Sequence, residues 1–142
     1  MTLVSKDILK AAEILSREEL VAIPTETVYG LAGNIYSVTA IKKIFDLKKR
    51  PFFNPLIVHI HSVDQIMELA THFPEKAQLL AKAFWPGSLT LILKKQPTVP
   101  ELITAGNDTV GIRIPQHELT LELLRNLPFP LAAPSANPFT YI

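Results

Sequence analysis

Residues 48–60 read KKRPFFNPLIVHI. Three cations run into a proline, two phenylalanines, an asparagine and a second proline, and then into an apolar run that reads as a strand. Upstream, Ala40, Ile41, Ile44, Phe45 and Leu47 form an apolar stripe at helical spacing, with Ser37 or Thr39 as its cap. That stripe leaves Lys42, Lys43 and Lys49 to solvent and puts Lys48 near the helix end, where the macrodipole favours cations. Pro51 is expected to end the helix and to push Arg50 out of the α region. A helix, a stiff basic lead-out and a strand in succession suit an α/β sheet.

The pattern extends in both directions. Toward the N-terminus, Ser5 can cap a first helix with Ile8, Ala12 and Leu15 on one face. LVAIP is a buried strand stopped by Pro24, and TETVYGLAGNIY is a turn-rich stretch entering a second extended piece. Toward the C-terminus come a short helix over 63–70 and a longer one from Pro74 with Ala77, Leu80, Ala81 and Phe84 apolar. WPGS breaks it. LTLIL is a strand, QPTVPELITAGND a loop with one helical turn, TVGIRIP a strand, ELTLELLRNL a helix and PLAAPSAN a last strand. The order α-β-β-α-β-α-α-β-β-α-β predicts one α/β domain with a mixed sheet and no linker or repeat.

Composition narrows the function classes. With 48% hydrophobic and 19% charged residues, these 142 residues are globular rather than disordered. No apolar run is long enough to cross a bilayer, the first residues lack a secretory pattern, and cysteine is absent, so a cytoplasmic protein is expected. The net charge of +1 is uninformative, but five cations face only Asp46 between Ala40 and His61. A basic strip on a near-neutral chain suits an anionic ligand. His59 and His61 share a strand face, yet no third metal ligand is near them in sequence.

Four strands end in, or lead out of, polar clusters stiffened by proline: IPTETVYG, KKRPFFNP, TVGIRIPQH and APSANP. Ligands of open α/β sheets bind at strand ends, so the four together are expected to form one site. Singly they are ordinary. Thr25 and Thr27 suit turns, and Asn54 and Asn137 suit Asx turns. Arg113 within VGIRI faces either solvent, on an exposed edge strand, or a paired anion. Glu26 is the one acid in the clusters, available as a base or a contact to metal-bound water. GNDTVG lacks the Lys-Ser/Thr of a P-loop, and GxGxxG and GxSxG are absent. Binding by cations, hydroxyls and amides with little covalent work fits phosphoryl or nucleotidyl transfer.

IPTETVYGLAG, IFDLKKRPFFNPLIVHI, WPGSLTLIL, TVGIRIPQH and LAAPSAN together resemble, in order and spacing, the YrdC/Sua5 family of threonylcarbamoyl-AMP synthases. The resemblance runs from about Leu9 to Asn137. It implies a twisted mixed sheet flanked by helices around an open basic groove. It also implies a reaction in which L-threonine, bicarbonate and ATP, with Mg2+, give threonylcarbamoyl-adenylate and pyrophosphate. That product would supply the t6A modification of tRNA, through tRNA itself or a tRNA-modifying complex. By the same resemblance Lys48 and Arg50 are the catalytic KxR pair. Thr27, His59, Arg113 and the backbone of Ala133 would contact threonine, and Arg50, Asn54, Thr109, Ser135 and Asn137 would contact ATP.

Family members continue past SAN through a glycine/serine-rich loop, a helix and further strands. Residues 1–142 are therefore expected to form a YrdC-like domain without its C-terminal part, whose open apolar edge favours a homodimer. Thr140 stands where many relatives have glycine. Two rival readings remain. One is a non-catalytic RNA-binding module using the basic strip, with Tyr36, Phe52 and Phe53 for stacking. The other is a carbamoyl-adenylate-forming relative akin to the hydrogenase-maturation carbamoyltransferase, whose cysteine-rich zinc-finger modules this sequence lacks.

Overall fold

The computed structural model describes residues 2–3, 7–26, 29–49 and 54–134. A short strand β1 (Thr2–Leu3) precedes helix α1 (Ile8–Ser16), followed by β2 (Val21–Pro24), β3 (Tyr29–Asn34) and helix α2 (Val38–Lys48). Strand β4 (Ile57–His59) leads through a 3-10 turn (Val63–Gln65) into α3 (Ile66–Leu69) and α4 (Glu75–Phe84). Then come β5 (Leu91–Lys94), the single turn α5 (Glu101–Thr104), β6 (Thr109–Arg113), α6 (Glu118–Arg125) and β7 (Leu131–Ala132). The seven strands among the described residues form one sheet in the order β1-β2-β3-β7-β4-β6-β5. Pairs β1–β2 and β4–β6 are parallel and the remaining four are antiparallel. The mixed sheet is as expected, with β1 added. None of the described helices is long and apolar enough to cross a membrane.

Two apolar clusters lie against the sheet. The larger takes Ile41, Ile44 and Phe45 of α2, Ala77 and Ala81 of α4, and Val58, Leu91, Leu93, Val110 and Ile112 of the strands. The smaller joins Ile8 and Leu15 of α1 and Leu123 and Leu124 of α6 to Val21, Ile23 and Leu131. Each fully buried Leu, Ile or Phe contributes roughly 1.5–3 kcal/mol. Helix α2 forms because its apolar residues recur three and four apart and because the Ser37 Oγ accepts from the Ala40 N–H at 3.0 Å. It packs closely on β3 at Gly33, where a Cβ would stand 3.3 Å from Ala40 Cβ and from Ile44 Cδ1. It stops when Lys49 turns left-handed (φ 49°).

Several expectations are corrected. Asp7 caps α1, its carboxylate accepting from the Lys10 N–H at 2.9 Å, and Ala11 rather than Ala12 is buried. Ser5 and Pro51 lie outside the described residues. Leu47 and Phe84 are 63% and 57% exposed, so neither belongs to its helix's buried stripe. On α4 only the small Ala77 and Ala81 face the core, which narrows the apolar face. Lys43 is not free in solvent, because its Nζ donates to Glu19 at 2.9 Å and to the Glu18 carbonyl at 3.2 Å.

Candidate functional site

One face of β4, β6 and β5 is buried in the larger core, whereas the other carries His59, Arg113 and Thr109. Registry sets them out in rows. His59 on β4 lies opposite Arg113 on β6, Ile57 opposite Gly111 and then Ile92, and Thr109 opposite Lys94. Ile92, in the middle of this face, is 63% exposed.

Arg113 is not the exposed edge residue that was one reading of the sequence. Strand β6 runs inside the sheet, and Arg113 is 9% exposed. Its Nη2 donates to the Glu26 carboxylate, while its Nε–H is buried without an acceptor among the described residues. The other Glu26 oxygen accepts the Gln116 backbone N–H at 2.7 Å. Burial raises the Glu26 pKa, but the hydrogen bonds from Arg113 and Gln116, with the Arg113 charge, outweigh it and hold the carboxyl below its ordinary range. Glu26 is therefore an ionised partner of Arg113, not a free base. Two further contacts tie this corner together. Thr120 on α6 donates to the Pro24 carbonyl, and Gly30 lets β3 approach the last strand, where a Cβ would stand 3.2 Å from Ala133 Cβ.

His59 is 3% exposed. Burial, followed by the Arg113 charge, lowers its pKa to about 4, so the ring is neutral at physiological pH. Its Nδ1 lies 3.1 Å from the Ile57 carbonyl, which can only accept, so Nδ1 carries the proton and Nε2 keeps a lone pair. The same carbonyl accepts the Ala133 N–H at 3.2 Å, fixing the start of PSAN against β4. The site thus pairs a buried guanidinium with a hydrogen-bond acceptor on the adjacent strand, roughly 4.8 Å away. That suits a small molecule bearing a carboxylate and a donor.

The structure brings together His59, Arg113 and the backbone of Ala133. Thr109 shares the face but stands four residues along β6 from Arg113, about 13 Å away. Asn54 is buried beside the entry to β4, and Lys48 ends α2, half-buried. Thr27, Arg50, Ser135 and Asn137 lie outside the described residues, as do Phe52, Phe53 and Thr140. Tyr36 is described, and its hydroxyl donates to Glu68 at 2.7 Å. Sequence reasoning missed the Glu26–Arg113 pair and placed Lys94 on no face; strand pairing alone sets it opposite Thr109. Among the described residues no three His, Asp or Glu side chains gather as metal ligands. A cavity of about 670 Å3 between α4 and α6, lined by His61, Phe73, Trp85 and Arg125 among others, contains none of the candidate residues.

Residues 13–141 match the family model described as "Telomere recombination", covering Sua5, YciO and YrdC. The chain belongs to the Sua5/YrdC family. It is 53% identical over 127 residues to a threonylcarbamoyl-AMP synthase of Pyrococcus abyssi, covering 89% of this chain and 37% of that protein. It is 52% identical to one of Bacillus subtilis, covering 92% and 38%. Among solved structures, Sua5 of P. abyssi complexed with L-threonine superposes with a TM-score of 0.89 at 52% identity, covering 93% of this chain and 39% of that one. The chain spans less than two-fifths of the length of these Sua5/YrdC relatives.

Proposed function

We propose that this chain binds L-threonine and ATP and takes part in forming threonylcarbamoyl-adenylate. The observation that carries the reading is the buried Arg113, with an unspent N–H beside the neutral His59, in a chain about half identical to threonylcarbamoyl-AMP synthases. Threonine's carboxylate pairs with Arg113, and a donor on the amino acid meets His59 Nε2. The threonine amine takes up bicarbonate-derived CO2 as a carbamate. A carbamate oxygen then attacks the α-phosphorus of ATP and pyrophosphate leaves. Lys48 and Arg50 neutralise charge on the leaving group, Asn54, Thr109, Ser135 and Asn137 hold the nucleotide, and Thr27 and Ala133 line the threonine side. Magnesium would enter with the triphosphate and help neutralise its charge, as magnesium bound chiefly through substrate phosphates does. The adenylate is passed on for tRNA modification.

Calorimetric titration of ATP with and without L-threonine tests the reading. Threonine is expected to tighten ATP binding, and Arg50→Ala is expected to abolish ATP–pyrophosphate exchange while leaving the circular dichroism spectrum unchanged. Binding of tRNA that ignores threonine, with no exchange in the unaltered protein, would replace the synthase with the RNA-binding reading.

A further inference from the structure

Glu26 has no role in the scheme above, yet it is built into the site. Its two carboxylate oxygens do separate work, one holding the Arg113 Nη2 and the other the Gln116 N–H. Its side chain is 21% exposed and that of Arg113 10%. A buried guanidinium that rests on one carboxylate and still has an unsatisfied N–H is incompletely satisfied by the protein. The pair as a whole is electrically balanced, so it attracts a simple anion only weakly. A zwitterion is better matched, because its carboxylate can take the open donor of Arg113 while its ammonium lies near the Glu26 charge.

We infer that Glu26 is a positioning and charge-balancing residue that aims Arg113 and makes the site select an α-amino acid over a carboxylate lacking the amine. This rests on the amino-acid reading of the site and names what discriminates there. The β2–β3 loop supplies the acid and the β6–α6 connection supplies the amide it grips, so the carboxylate also sets how far apart the two walls of the site stand. Neutral Gln removes the charge and can accept only one of the two hydrogen bonds, because its amide nitrogen is a donor.

The experiment compares L-threonine with 3-hydroxybutyrate, which has the same carboxylate and hydroxyl but no amine, in wild type, Glu26→Gln and Glu26→Asp. Wild type is expected to prefer threonine. Glu26→Gln is expected to weaken threonine by about tenfold and to narrow that preference, with ATP affinity unchanged. Glu26→Asp retains the charge and is expected to retain the preference, which keeps the test decisive if Glu26→Gln does not fold. Unchanged threonine preference in Glu26→Gln, an equal loss of ATP and threonine, or loss of the preference in Glu26→Asp would each overturn the role of Glu26. Wild type that binds no threonine would instead overturn the amino-acid reading itself.

Discussion

His59 shows how a single residue is set by what surrounds it. Unfolded, its imidazole takes a proton near pH 6.5; folded, burial and Arg113 delay that to about pH 4. The unfolded chain therefore binds the extra proton between these values. Stability is full above pH 6.5 and declines as pH falls toward 4, by up to about 3 kcal/mol from this residue. Glu26 also loses its contribution on acidification, but below the ordinary carboxylate range, because its folded pKa is depressed. Denaturant unfolding from neutral to mildly acid pH should show His59→Gln with a shallower decline than wild type. Equal slopes would mean that His59 is not buried neutral. That His59 belongs with Arg113 was legible only through the family resemblance, since His59 lies outside the four polar clusters. The partner of Arg113 was not, because Glu26 lies 87 positions away and only strand order decides that β6 is interior.

Helix α6 braces the corner that holds Glu26 and Arg113, the turn α5 precedes the far end of β6, and each can be perturbed at a residue outside the candidate set. Helix α6 is held to β2 by the buried Thr120, whose hydroxyl donates to the Pro24 carbonyl two residues before Glu26. Thr120→Val keeps the shape and removes the donor, leaving a carbonyl short of a partner in the interior. A loss of about 1–3 kcal/mol is expected by chemical denaturation, and a change below a few tenths would remove this contact from the account. The turn α5 ends at Ala105, left-handed at φ 53°. Only glycine adopts that conformation freely, so Ala105→Gly should raise stability by about 1 kcal/mol in the same measurement. Element type and order followed from periodicity and caps. The buried faces followed less well: Leu47 and Phe84 fit a helical stripe by spacing yet face solvent, because α2 and α4 meet the sheet through neighbouring residues instead.

At the scale of the molecule, a single sheet separates two cores, and neither is complete without the strands the other uses. Trp85, the sole tryptophan, packs on the larger core with its indole N–H donating to the Leu89 carbonyl at 2.8 Å. If the cores are interdependent, Trp85 fluorescence and far-ultraviolet circular dichroism should trace one denaturation curve. Separate midpoints would show that the two sides unfold independently. The topology also governs when the site can come into being. Strand β7 follows the other described strands in sequence, is inserted between β3 and β4, and among the described residues is the strand that joins the sheet's two halves. Glu26 follows β2 in one half and Arg113 ends β6 in the other. A nascent chain leaving the ribosome can lay down the first hairpin early, but the two charges meet in their native frame only after β7 has been synthesised and slotted home. Assembly of the Glu26–Arg113 pair thus waits on β7, the last of the described strands to be synthesised.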